Sequence, residues 1–484
     1  MKHAIKIVFL GLVLSAVAGY GSQQNCYSVV AGKLATADGS VMLAHNEDNG
    51  MQYAARMFKV RRRVHDPEEW FELEGGGRVP QADTTFAYWF LEMPGLGYSH
   101  TLLNEHGVAV VSDNCPSRED REDLTDGGIG PALRILVAER CRTSREGAKL
   151  VGSLVEKFGY KASGRTLIIC DSHEGWLVAM VQGRHWVAAR VPDNQVAVIA
   201  NSYTVREVDL ADTLNFLGSA DLIDYAVERG WHDPDTKKKF DFERAYAERE
   251  RRVSPSQTYR QWSGYRHLAP DSFPSPESSK PLPFSAKPAE PVNAGDFFRV
   301  LRDHYEDTDY EVVADCPHMP AQPLKAAVIC NGSTNSGSVF ALRSDMPVEI
   351  GALWWLALYR PCTSPFLPLY FGLSETPSQL YYEADSEIFT GPGSTGQPDS
   401  DRAFRVFREL ALLVDMEYPD RIPGVRQAWA EFDNNSVVIH QAFEREVRSK
   451  WSVNRRFFME LAERICQGTV ARAMQQARQI MTDY

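Results

Sequence analysis

The stretch CYSVVAGKLATADGSVMLAHNEDNG, residues 26–50, reads as a β-hairpin. Asp38-Gly39 is the strongest short turn signal, because both residues tolerate the positive φ that a two-residue hairpin turn needs. β-branched and apolar runs flank it on either side. Antiparallel pairing folds residues 41–46 back along residues 26–31. The segment His45-Asn46-Glu47-Asp48 then returns to the neighbourhood of Cys26. A carboxylate there can hold an amine, and His45 and Asn46 can hold backbone or thiolate.

The residues ahead of Cys26 give that amine a meaning. Lys2 and Lys6 surround the apolar run IVFLGLVL, and Ala16-Val17-Ala18 follows, which is the pattern of a secretory signal. The run is shorter than the roughly 20 apolar residues that span a bilayer, and no second span follows, so no membrane association is expected after signal removal. Cleavage after Ala18 leaves GYGSQQN in front of Cys26. Gln23, Gln24 and Asn25 are too large and polar for a lipid-anchor cysteine. Taken alone, Cys26 reads as a buried strand cysteine, the commoner role. As the first residue of a mature chain it is a nucleophile with its own base: an α-amine titrating at about 7.7–8.0 beside a thiol at about 8.5. That chemistry needs a second cut, immediately before Cys26, and self-processing would supply it.

The chain has 484 residues, 44% hydrophobic and 11% aromatic, enough for a large core. Its formal charge is −12, and from Cys26 onward 50 basic residues face 64 acidic ones. No Lys/Arg cluster marks a nucleic-acid surface. Export implies a periplasmic or extracellular destination and permits disulfides. The eight cysteines are Cys26, Cys115, Cys141, Cys170, Cys316, Cys330, Cys362 and Cys466. One or two bridges among the later ones are allowed, and the sequence does not pair them. None forms a CxxC, which argues against structural zinc. His185 and His304 lack HExxH or paired His-carboxylate spacing, so no catalytic metal is expected. No phosphate-binding loop or nucleophile elbow is present, and no cofactor is called for.

Residues 166–200 read as four strands of a meander, TLIICD, GWLVAMV, HWVAARV and QVAVIA, with Trp176 and Trp186 filling the core and Asn201 ending the last strand. Residues 131–158, 403–418 and 455–481 carry helical spacing. These amphipathic helices suit a core or a homo-oligomer surface. Eight prolines between 255 and 291 argue for an irregular surface connection there.

The opening Cys, strand, Ala37-Asp38-Gly39-Ser40, second strand and Asn46-Glu47-Asp48 resemble the cysteine dipeptidases of the dipeptidase A type. These are N-terminal-nucleophile hydrolases related to secernins, choloylglycine hydrolases and penicillin V acylases. LNEHGVAV (103–110), the run from Gly164 to Tyr203, PLPFSAKP (281–288), FRVLRDHYEDT (298–308) and SPFLPLYFG (364–372) extend the resemblance over roughly residues 26–375. It implies an α+β fold, a four-layer αββα sandwich. The expected organisation is a signal peptide (1–18), a short propeptide (19–25), the hydrolase domain (26–375) and a mostly helical C-terminal extension packed on the same domain (376–484).

Carried over residue by residue, Cys26 matches the nucleophile and Asp48 the acid that orients its α-amine. Asn201 matches the oxyanion donor, and Asn114 aligns with a second active-site asparagine. His45 departs from the pattern: the relatives usually place an Arg there, and a neutral imidazole would not do the same electrostatic work. The resemblance implies hydrolysis of dipeptides through a thioester. The same scaffold cleaving another linear amide, such as an N-acyl amino acid or a bile-salt conjugate, is one alternative. A catalytically dead exported binding protein, keeping residues before Cys26, is another.

Overall fold

The computed structural model describes residues 26–49, 54–93, 100–236, 238–273, 275–276, 282–311, 315–320, 324, 326–381 and 401–484. The expected signal peptide and propeptide lie outside the described residues. No helix among the described residues is long and apolar enough to cross a membrane.

The larger strands are β1 (Tyr27–Ala31), β2 (Val41–Asp48), β3 (Arg56–Val60), β4 (Tyr88–Glu92), β5 (His100–Asn104), β6 (Ala109–Asn114), β7 (Tyr160–Cys170), β8 (Gly175–Gly183), β9 (Trp186–Arg190), β10 (Val196–Ile199), β11 (Phe216–Gly218), β12 (Thr334–Leu342), β13 (Ala352–Leu358) and β14 (Leu367–Tyr370). They form a six-stranded antiparallel sheet, β10-β1-β2-β12-β13-β14, and an eight-stranded one, β11-β9-β8-β7-β6-β5-β4-β3. The helices that matter here are α1 (Ala132–Arg140), α2 (Ser144–Phe158), α3 (Pro255–Leu268), α4 (Ala294–Leu301), α5 (Ala403–Met416), α6 (Tyr418–Lys450) and α7 (Arg455–Thr482). The chain is thus mixed α+β with a helical C-terminal part.

Period-two alternation sorts the eight-stranded sheet. Leu103, Val111, Ile168, Leu177 and Ala179 join one core with Val29 and Leu43 of the six-stranded sheet. Leu102, Val110, Leu167, Ile169 and Val178 face the other way, onto Leu133 and Val137 of α1 and Val151 and Val155 of α2. The Thr143 side chain caps α2 by accepting from the Glu146 amide at 3.1 Å. Helices α4, α5 and α7 pack against the six-stranded sheet.

Two expectations are corrected. The four-strand meander has only three members: β7, β8 and β9 are neighbours, but β10 leaves for the other sheet and pairs antiparallel with β1, Ser28 opposite Ile199. Pro192 at the β9–β10 connection has no N–H to continue a ladder, and the Gln195 carbonyl accepts from the Gly32 amide of the new sheet at 3.0 Å. The 255–291 stretch is also not irregular throughout. Pro255 opens α3 at a first-turn position, where its missing N–H costs nothing, and the remaining prolines fall beyond Leu268.

Candidate active site

The hairpin forms, but not through a two-residue Asp38-Gly39 turn: residues 32–40 connect the strands, only Gly39 of that pair has a positive φ, and the register, one residue from the expected one, sets Tyr27 opposite Asn46 and Ser28 opposite His45. Ser28, His45 and Glu47 therefore share one face. The Ser28 hydroxyl lies 2.8 Å from His45 Nδ1, and His45 Nε2 is 3.1 Å from Glu47 Oε2. Asn46 points away from the thiol and donates to the Leu301 and Ile329 carbonyls at 2.9 and 3.3 Å. Opposite Asp48 the β2–β12 ladder slips between Thr334 and Ser336. Such a bulge re-aims a side chain. Asp48 Oδ2 accepts from the Asn331 amide, and its Oδ1 has no partner among the described residues.

Cys26 is 3% exposed, and its Sγ meets Glu47 Oε1 at 3.5 Å. Burial, then the carboxylates of Glu47, Asp113 and Asp48, push the thiol well above its ordinary range. Burial would also raise Glu47, but the His45 hydrogen bond and charge, then Arg134 and Asn49, bring it down to about 2. Burial holds Asp48 up at about 7 against hydrogen bonds from Thr334 and Asn331, and it holds Asp113 at about 6. Neither Asp113 oxygen has a hydrogen bond of normal geometry among the described residues. His45 moves opposite to its burial: the Glu47 bond and the surrounding carboxylates raise it above the usual imidazole range. The Glu47 carboxylate thus favours the charged form of the His45 ring.

Asn201 follows β10 with φ +55°, in the left-handed region where Asn is the favoured non-glycine residue. It is fully buried. Its Nδ2 donates to the Asn114 carbonyl at 3.0 Å, and its Oδ1 accepts from Arg260 at 3.1 Å. The same guanidinium donates to the Cys26 carbonyl at 3.1 Å. Arg260 thus ties the nucleophile candidate to the oxyanion candidate. Asn114 meets Asn201 through its main chain, at the end of β6. Helix α3 comes close enough to do this because residue 264 is glycine: a Cβ there would lie 2.1 Å from the Tyr27 hydroxyl and 3.0 Å from a Val198 methyl.

The structure brings Cys26, His45, Asp48, Asn201 and the Asn114 backbone to one end of the hairpin. A model of the family described as Peptidase family C69 matches residues 25–431. The chain belongs to that family. It is 26% identical over 404 residues to a probable dipeptidase from Latilactobacillus sakei, covering 81% of each chain. It is 24% identical over 372 residues to dipeptidase A from Lactobacillus helveticus, covering 73% of this chain and 77% of that one. A conjugated bile acid hydrolase from Clostridium perfringens aligns over 72% of this chain and 92% of its own at 11% identity, with a TM-score of 0.33, a likeness that decides nothing here.

In this family C69 chain, sequence reasoning missed Arg260, Asp113, Arg134 and Asn331. Buried and charged Arg260, flanked on α3 by the buried aromatic residues Tyr259 and Trp262, was the available signal. Arg134, on α1, is buried and donates to Ser112 Oγ at 2.7 Å, while its Nε and Nη2 have no partner among the described residues.

Proposed function

We propose that this peptidase is an exported cysteine-nucleophile dipeptidase, activated when residues before Cys26 are removed. The observation that carries the reading is the unpartnered acceptor at Asp48 beside Cys26. Three buried carboxylates surround one thiol, and two of them, Asp48 and Asp113, are raised in their pKa. His45, Arg134 and Arg260 already face these carboxylates, but a buried carboxylate oxygen without a donor is costly, and Asp48 Oδ1 has no hydrogen bond of normal geometry among the described residues. A free α-ammonium on Cys26 supplies that donor at the spot, with Asp48 Oδ1 as its acceptor. The family match begins at residue 25, which agrees with a shared part that opens at the cysteine.

In the proposed mechanism the Cys26 α-amine takes the thiol proton and the sulfur attacks the amide carbonyl. Asn201, held by Arg260, donates to the oxyanion, which in other acyl-transfer enzymes lowers the barrier by about 3–4 kcal/mol. The amine returns its proton to the leaving amino group, giving a thioester. Water, deprotonated by the same amine, then releases the acid. Asp48 keeps the amine in place, His45 keeps Glu47 occupied, and the open edge of Arg134 matches the carboxylate of a dipeptide. The reading places the two sheets as the inner layers of a four-layer αββα sandwich. It also places residues 1–18 as signal, 19–25 as propeptide and 376–484 as an extension of the 26–375 domain.

The test combines intact mass with hydrolysis. The exported wild type is expected to begin at Cys26 and to cleave free dipeptides faster than C-amidated dipeptides, N-acyl amino acids or bile-salt conjugates. Cys26→Ala should keep residues 19–25 and lose at least about 1,000-fold in kcat/KM. A fully active wild type that begins at Gly19 would refute the terminal-amine mechanism. A preference for amidated or acylated substrates would leave that mechanism standing and remove the dipeptide.

A further inference from the structure

Away from Cys26, four soft ligand types converge in the interior. His304 follows α4, His318 lies in the loop after it, Cys330 precedes β12, and Cys362 sits in the turn Pro361–Thr363 after β13. All four are buried, and their nearest ligand atoms lie within 4.8 Å of one another. His304 Nε2 and His318 Nε2 are 3.3 Å apart, and Cys362 Sγ is 3.3 Å from His318 Nε2. A tetrahedral zinc with Zn–N of about 2.05 Å and Zn–S of about 2.3 Å has edges of about 3.3 Å between nitrogens and about 3.6 Å between nitrogen and sulfur. The nitrogen–nitrogen separation equals that edge, the nitrogen–sulfur one is shorter than its edge, and the other pairs lie within 4.8 Å.

The outer contacts orient the rings for it. His318 Nδ1 meets Asp415 Oδ1 at 2.8 Å, and Asp415 is in turn held by Arg360 through two hydrogen bonds, 3.0 and 2.6 Å long. His304 Nδ1 meets Glu306 Oε1 at 3.0 Å, and Glu306 pairs with Arg426. The Arg426 guanidinium also approaches that ring nitrogen at 2.6 Å. A carboxylate only accepts, so each ring carries its proton on Nδ1 and leaves Nε2 for a metal; at His304 this requires the Arg426 guanidinium, which cannot donate to a protonated nitrogen, to donate to Glu306 instead. Each carboxylate is neutralised by its own arginine. Two thiolates, two neutral imidazoles and a divalent ion then leave the buried centre without net charge.

We propose that His304, His318, Cys330 and Cys362 form a closed structural site for Zn²⁺. Four protein ligands leave no open position, so the ion holds the fold and takes no part in the reaction. Sulfur and imidazole donors in a tetrahedral set favour zinc over the harder cations. The absence of a CxxC pair does not exclude the site, because His304, His318 and Cys330 lie far apart along the connection between α4 and β12 and Cys362 comes from the turn after β13. The ion would cross-link them next to the peptidase centre. Cys330 adjoins Asn331, which binds Asp48, and the Cys330 amide donates to the Asp303 carbonyl at 3.3 Å. The proposal is independent of which bond the enzyme cleaves.

The full chain, produced in zinc-replete medium and purified without a histidine tag, is expected to carry about one zinc per chain by elemental analysis. Cys26→Ser should keep that zinc. Cys362→Ser and Cys330→Ser should lose it and melt at lower temperature. If those variants fail to fold, wild type refolded with Co²⁺ decides the matter through the visible absorption bands of a tetrahedral cobalt thiolate. Two outcomes overturn the proposal. One is wild type without zinc and 2 Da light, with a Cys330–Cys362 disulfide in its peptide map. The other is zinc that persists in both cysteine variants.

Discussion

Two buried cysteine clusters lie a few residues apart in this molecule, and they are built oppositely. Around Cys26 the carboxylates touch the thiol region directly: Glu47 is 3.5 Å from Sγ, and Asp113 and Asp48 add their charge. Around Cys362 the near neighbours are imidazoles, and the carboxylates Asp415 and Glu306 stand one contact further out, each on an arginine. The first arrangement keeps a thiol protonated until a cation arrives and then holds that cation. The second presents lone pairs to a cation from all sides. On the two proposals above, the difference is between a site for the chain's own terminus and a site for a metal, and the strand-leading segment from Cys330 to Thr334 connects them.

The comparison breaks most sharply at Asn201, which belongs to the first cluster alone. Asn201→Ala removes the proposed oxyanion donor and a hydrogen-bond partner of Arg260, and is expected to lower kcat about 100- to 1,000-fold with zinc content unchanged. Steady-state kinetics and elemental analysis on one preparation check both halves. A variant that keeps its kcat removes Asn201 from the reaction.

His45 gives the next effect. Its raised pKa means the ring is charged at low pH and loses that charge as pH rises through the raised value. His45→Gln should cost about tenfold in kcat/KM, through loss of the ring that faces Glu47. His45→Arg should restore the rate and move the alkaline limb of the pH profile upward. A profile unmoved by Arg would show that the limb belongs to another group.

That two antiparallel strands flank Asp38-Gly39 was legible because β-branched and apolar runs are local, but the nine-residue connection and the register were not. The candidate pocket was legible only in part. Cys26, His45 and Asp48 follow from the hairpin, but Asn201 reaches them because β10 changes sheets, a choice made by pairing partners far away in sequence. Arg260 was hidden among prolines whose composition reads as loop, although Pro255 sits where a helix accepts it. Asp113 and Arg134 look like an ordinary strand end and helix residue until the sheets stack. The His304–Cys362 cluster shows the same limit: its ligands have no spacing signature, because tertiary structure alone assembles them.

The smallest effect discriminates most finely. In the unprocessed chain Asp48 has no cation on Oδ1, and its pKa of about 7 lies above that of an unfolded aspartate. A group raised on folding binds its proton more tightly in the folded state, so its contribution is full below pH 4 and is lost as pH rises through about 7. Cys26→Ala, which keeps the residues before position 26, should therefore melt at progressively lower temperature from pH 5 to pH 8. Adding Asp48→Asn should flatten that decline and raise Tm at pH 8 by about 2–4 °C. In the processed chain the α-ammonium faces Asp48, and the same substitution strands a buried cation, so its sign should reverse and Tm should fall. Calorimetry on the two forms reads this directly. The same sign in both would mean that Asp48 does not hold the amine.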